Sequence, residues 1–251
     1  VKEVYSWLNY TGNAHTSLLE PPASTAVPPE VDWNHWTGGA PLRPYTPVYH
    51  PFAWRDWQDF GSGSLGDFGA HIFDPVFTAL GLKAPLIVSA ENSGNNRQVW
   101  PTLEKVRYVF PGNERIAGPT LTLTWTNGGR TPDRKLAQMP PELDLPKVGS
   151  LFIGEKGNLV LPHVGGPRLY PLENFRDFAY PKDLKGLDHW HLWIDAILSG
   201  KKTSDGFDYA GPLSETVQLG NVANRVMVRH IGAHELIRVD KAALHLNADF
   251  F

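Results

Sequence analysis

The stretch DFGSGSLGDFGAHIFD, residues 59–74, admits two readings, and the choice between them decides the fold. Gly61 to Gly66 spell GSGSLG, a formal G-x-G-x-x-G. A dinucleotide-binding turn of that form follows a buried parallel strand and opens a helix whose N-terminus faces the pyrophosphate. The residues before Gly61 are WRDWQDF, charged and aromatic, with no β-branched run. Glu91 stands loosely where a ribose-binding acid belongs, but the segments beyond it continue as alternating strands rather than strand–helix units. Asp67, in the first helical turn, would also set a carboxylate against a phosphate. GSGSLG therefore reads as a flexible helix entry, and the chemistry of the stretch falls to Asp67 and His71.

Working outward, residues 64–82 read as a helix with Leu65, Phe68, Ile72, Val76 and Ala79 on one face. Asp67, His71, Asp74 and Thr78 fall on the opposite face, and Pro75, lacking an N–H, is expected to disturb the middle. The opening VKEVYSWLNY alternates as a strand, and LIVSAE (86–91), EKVRYVF (104–110), TLTLTW (120–125), SLFI (150–153) and NLVL (158–161) follow, with GEKG turning between the last two. Residues 11–62 are mostly irregular and aromatic, and 126–148 read as a polar surface loop. Helices fit 187–199, where Trp190, Trp193, Ile194 and Ile197 share a stripe ended by Gly200, and 209–229, where Leu213, Val217, Val222 and Val226 are roughly in phase. A last strand fits ELIRV, 235–239. The pattern predicts an α+β fold over residues 1–251 as a single domain. It has an open, largely antiparallel sheet with helices on one face and no Rossmann domain in this chain.

Composition narrows the function classes. The chain has 251 residues, 41 % of them hydrophobic and 20 % charged, with a net charge of −3, which points to neither a nucleic acid nor a membrane surface as partner. With no cysteine, disulfide and thiolate chemistry are excluded. No apolar run approaches the roughly 20 residues of a membrane span, and no signal peptide is visible. Residue 1 is Val and the chain opens directly in a strand, so a longer natural chain is expected. The nine tryptophans serve either as core residues or as flat faces for sugar rings.

A spacing of four sets Asp67 and His71 one turn apart on one helical face. A carboxylate beside an imidazole orients it and raises its proton affinity, which suits proton transfer. A solvated polar face explains the same spacing. A metal site needs further ligands that do not stand out, and none is expected. No G-x-S-x-G elbow supports serine hydrolysis. Asp56, Asp59, Asp67 and Asp74 cluster in sequence, so paired-acid glycoside cleavage stays open. His189 and His191 flank Trp190, while His15, His35 and His50 lie in the aromatic loops.

EVDWNHWTGGAPLRPYTPVYHPFAWRDWQDFGSGSLGDFGAHIFDPVFTALGL resembles the substrate-domain core of the Gfo/Idh/MocA oxidoreductases, the glucose–fructose oxidoreductase and inositol dehydrogenase group. DHWHLWIDAILSGKKTSDGFDYAGPLSETVQLGNVANR resembles the C-terminal helices of the same family. The resemblance implies a sugar, polyol or glycoside substrate, NAD or NADP in a full-length relative, and a sheet face used for homo-oligomers. The family's D-x-x-x-H pair falls on Asp67 and His71, which would orient a sugar hydroxyl and take its proton. His189 matches a histidine at the start of the family's following helix block and is expected to line the pocket, and Tyr49, Trp54 and Arg55 lie in the loop leading to the pair. The family's Rossmann domain and its Glu-Lys-Pro stretch are absent; Glu155–Lys156–Gly157 is a hairpin turn. This chain alone is therefore expected to bind no cofactor and to rely on a separate nucleotide-binding domain. A soluble bacterial protein is expected, with the compartment, cytoplasmic or periplasmic, left open. The alternative is a free-standing, cofactor-independent glycoside hydrolase or lyase.

Overall fold

A computed structural model describes residues 1–9, 23–92, 98–182, 188–226 and 237–238. Eight strands form one sheet: β1 (Glu3–Leu8), β2 (Ile87–Asn92), β3 (Glu104–Pro111), β4 (Thr120–Asn127), β5 (Val148–Ile153), β6 (Asn158–Pro162), β7 (Arg168–Tyr170) and β8 (Ile237–Arg238). Their order is β7-β6-β5-β1-β4-β3-β2-β8. The first strand is thus central, parallel to β4 and antiparallel to β5, and every other pairing is antiparallel. Helix α1 (Trp33–Thr37) lies in the aromatic loop, while α2 (Gly63–Leu80) and α4 (Phe207–Val226) pack together on one face of the sheet. Between them in sequence runs α3 (His189–Ser199).

Alternation builds the main core. Leu121, Leu123 and Trp125 of β4, with Val106, Tyr108 and Phe110 of β3, all point toward the helices and are fully buried. Helix α2 covers them with Leu65, Ile72, Phe73, Val76, Phe77 and Leu80, each such burial being worth about 1.5–3 kcal/mol. The apolar arc is rotated from the stripe read in the sequence, because Phe73 and Phe77 outweigh Ala79, which is exposed. Pro75 does not interrupt the helix. It deprives only the His71 carbonyl, on the exposed side, of an N–H. In α4, Val222 is turned outward and Ala223 and Asn224 point inward instead.

The second face of the sheet is covered at one end and largely polar at the other. Residues 126–148 do more than skirt the surface: Ala137, Met139, Leu143 and Leu145 pack on Trp7, Leu151, Val160 and Tyr170. Over β2–β4 that face carries Thr122, Thr124, Thr126, Lys105, Arg107 and Ser89 with Ile87 and Val109 among them, so TLTLTW places its bulky apolar residues on one side only and EKVRYVF all but Val109. Helix α3 forms where predicted, capped by Asp188, but among the described residues it buries only Ala196. Trp190, Trp193 and Ile197 are exposed. Tyr10, residues 227–229 of the third helix and 235, 236 and 239 of the last strand lie outside the described residues, as does His15.

Candidate functional site

The exposed side of α2 faces the ends of β1, β5 and β6 across a cleft with two parts. Asp67 lies in a hollow of about 320 Å³ with Arg55, Asp56, Phe68, Lys147 and Val148. His71 lies in a second, of about 270 Å³, with Asp74, Pro162 and His163. Phe68 stands between them, its ring centroid 5.6 Å from that of His71 and 5.6 Å from that of His163; the two imidazoles are 5.8 Å apart. The β5–β6 pairing brings His163 here: Gly149 opposes Pro162, and the His163 amide donates to the Val148 carbonyl at 2.9 Å.

Asp67 is partnered by Arg55, whose Nε lies 3.5 Å from its carboxylate. The same guanidinium rests over the rings of Phe52, at 4.3 Å, and Trp54, at 4.6 Å. Both members of the pair are partly open to solvent, the Asp67 side chain at 47 %. The polar stripe of α2 splits beyond His71. The Tyr209 hydroxyl donates to the Asp74 carboxylate and bonds Thr78 at 2.8 Å, so this half of the stripe anchors α4. Burial, and then the Asp74 contact, push the Tyr209 hydroxyl up to about 12.

The remaining sequence candidates separate. Arg55 lines the Asp67 hollow and Trp54 a neighbouring depression. Tyr49 is 3 % exposed and belongs to a small aromatic core with Trp33, Tyr45, Trp57 and Val99. His189 is exposed on α3, its ring 4.6 Å from that of Trp190, and lines neither hollow. Asp59 is held by Arg43.

Two residues were missed. His163 gave no sequence signal, because only the sheet register brings it to α2. Glu104 is 2 % exposed in the main core, accepting from Trp125 Nε1 at 3.1 Å, Asn127 Nδ2 at 2.8 Å and Asn224. Desolvation lifts its carboxyl to about 7 against the pull of the Trp125 and Asn224 donors.

The glycines of GSGSLG are filled by the chain itself. A Cβ on Gly61 would meet the Arg55 backbone oxygen at 2.4 Å, one on Gly63 (φ +67) the Trp100 side chain at 2.7 Å, and one on Gly66 the Ser62 Cβ at 2.0 Å. The turn follows a short 3₁₀ turn, Ala53–Asp56, rather than a parallel strand. These residues do not fit a pyrophosphate cradle. Among the described residues no group of three or more His, Asp or Glu could hold a metal ion, and no helix is long and apolar enough to cross a membrane.

Residues 5–117 match the model of the oxidoreductase family, C-terminal alpha/beta domain, of the Gfo/Idh/MocA group. The match spans somewhat under half of the chain and includes α2 with Asp67 and His71. No curated protein matches the sequence.

Proposed function

With these residues belonging to the Gfo/Idh/MocA C-terminal domain family, we propose that the chain is the substrate-handling part of an oxidoreductase acting on sugars, polyols or glycosides. Oxidation of a secondary alcohol takes a hydride from carbon and a proton from oxygen. Asp67 and His71 divide the work: the carboxylate accepts a hydrogen bond from a neighbouring sugar hydroxyl and orients the ring, and the imidazole one turn along receives the proton of the hydroxyl being oxidised. Arg55 fixes the Asp67 carboxylate. The observation that carries this reading is the placement of Asp67 and His71 on the exposed side of α2, over a cleft that also holds Arg55, Lys147 and His163. NAD or NADP, the family's hydride acceptor, would belong to a separate nucleotide-binding domain, since GSGSLG does not suit it.

The test is a titration of the protein with sugars, polyols and methyl glycosides, followed by backbone amide resonances. Shifts concentrated at residues 63–71, lost in Asp67→Asn and His71→Ala, support the reading. No shift there with any member of the panel overturns it.

A second reading rests on Asp56 and Asp67 lining one hollow, as two carboxylates flank a scissile glycosidic bond. It predicts release of nitrophenol from nitrophenyl glycosides without cofactor, abolished by Asp56→Asn.

A further inference from the structure

Some imidazoles of this chain are held by carboxylates and some are not. His35 and His191 each place Nδ1 2.6 Å from the carboxylate three residues earlier, Asp32 and Asp188. The rings of His71 and His163 have no hydrogen-bond partner among the described residues, and both are open to solvent. They line one hollow of about 270 Å³. The other two polar side chains of that hollow already have partners: the Ser150 hydroxyl bonds that of Ser6 at 2.8 Å, and the Asp74 carboxylate accepts from Tyr209. What the hollow offers a polar ligand is therefore, above all, a pair of imidazoles.

The fold places the second imidazole as firmly as the first. Leu159 and Leu161 of β6 turn toward the main core, and alternation carries His163 to the same side of the sheet. Its amide is tied to the Val148 carbonyl at 2.9 Å. Phe68 braces both rings at 5.6 Å, and the two imidazoles stand 5.8 Å apart at 62°. A neutral imidazole carries one N–H donor and one bare acceptor nitrogen. Two such rings on one hollow match two hydroxyls on adjacent carbons. We propose that His163 contacts the substrate and sets specificity, so that the substrate presents a vicinal diol: one hydroxyl gives its proton to His71, and its neighbour hydrogen-bonds His163. A second point of attachment stops the reacting carbon from turning away, which is how orientation lowers a barrier. The proposal rests on the reading of His71 as the group that meets a sugar or polyol hydroxyl, and it adds the hydroxyl pattern that the site selects.

The test titrates the full chain with hexoses, their methyl glycosides and cyclic polyols, each beside its monodeoxy counterparts. Binding is followed by calorimetry, by the amide resonances of residues 63–71 and by the ring resonances of His71 and His163. At least one parent ligand is expected to bind about tenfold tighter to the wild type than to His163→Phe, the scale of one hydrogen bond. That variant keeps a ring against Phe68 but has no nitrogen, so a purely packing role for His163 predicts no change. His163→Gln, which restores a donor and an acceptor, should recover part of the loss. Removing one hydroxyl of the diol should cost the wild type about the same factor and His163→Phe nothing further. Shifts at 63–71 with an affinity that His163→Phe leaves unchanged overturn the proposal and leave the cleft reading standing. So does a wild type that binds every monodeoxy ligand as tightly as its parent. No shift at 63–71 or at either imidazole with any member of the panel overturns the cleft reading and the proposal with it.

Discussion

Glu104→Gln should flatten the pH dependence of stability. Glu104 is sealed in the core, and its folded carboxyl titrates at about 7 against an ordinary 4.5. The folded state therefore holds a proton that the unfolded chain releases between those values, and stability falls as pH rises through that window. Above pH 7 the loss is complete. The rise from 4.5 to about 7 corresponds to about 3 kcal/mol, most of it lost between pH 5 and 8. Glutamine keeps an oxygen for Trp125 and Asn127 but turns an amide toward Asn224. That exchange costs about 1 kcal/mol at every pH. The wild type should thus be the more stable protein at pH 4 by about 1 kcal/mol and the less stable at pH 8 by about 2 kcal/mol. Urea unfolding of both proteins at several pH values measures this, and comparing the two cancels the other carboxylates and histidines. Curves that run parallel from pH 5 to 8 would refute the assignment of a buried, proton-holding Glu104.

Gly220→Ala should destabilise by about 2–3 kcal/mol, since the new Cβ would sit 2.0 Å from the Tyr108 hydroxyl and 2.5 Å from Leu65; Tyr108→Phe should recover part of this in a thermal melt of the double variant. Tyr108→Phe alone should be neutral or stabilising by up to about 1 kcal/mol in urea unfolding, because the hydroxyl is buried and lacks a hydrogen-bond partner among the described residues. Under a working turnover assay, Asp67→Asn and His71→Ala should each cut the rate about 10²-fold or more, the scale of general acid–base groups; wild-type rates in both would remove the pair from the mechanism. The chain should self-associate through the open face of β2–β4, where Ile87 and Val109 stand among threonines, and a clean monomer in sedimentation at high protein concentration would count against it.

Local pattern and tertiary coverage part company at identifiable residues. Alternation in TLTLTW and EKVRYVF suffices to read two strands, because the pleat sends every second side chain the same way. It says nothing of what lies over each face, and β4 gave its second face to threonines. The stripe of α2 was legible for the same reason, whereas Asp67 is ion-paired with Arg55 and lies in a different hollow from His71. The rotation toward Phe73 and Phe77 was not legible, since a wide apolar arc leaves the centre of burial to the surface it meets. Likewise the spacing of Trp190, Trp193 and Ile197 announces a helix, and Asp188 and Gly200 bound it, yet α3 leaves that stripe exposed among the described residues.

The site shows the same divide at closer range. Asp67 and Arg55 come from one continuous segment, so a short-range reading finds them together. His163 and Lys147 reach the cleft only through the pairing of β5 with β1 and β6. Tyr49 has the residue type and loop position of a ligand wall, but aromatic residues in a long loop can equally close on one another. Here Trp33, Tyr45, Tyr49 and Trp57 form a miniature core that stiffens the loop. That self-packing reaches the surface at one point: Trp36 is fixed by stacking on Trp33 at 4.8 Å, so a loop without regular structure over most of its length still holds a side chain in one place.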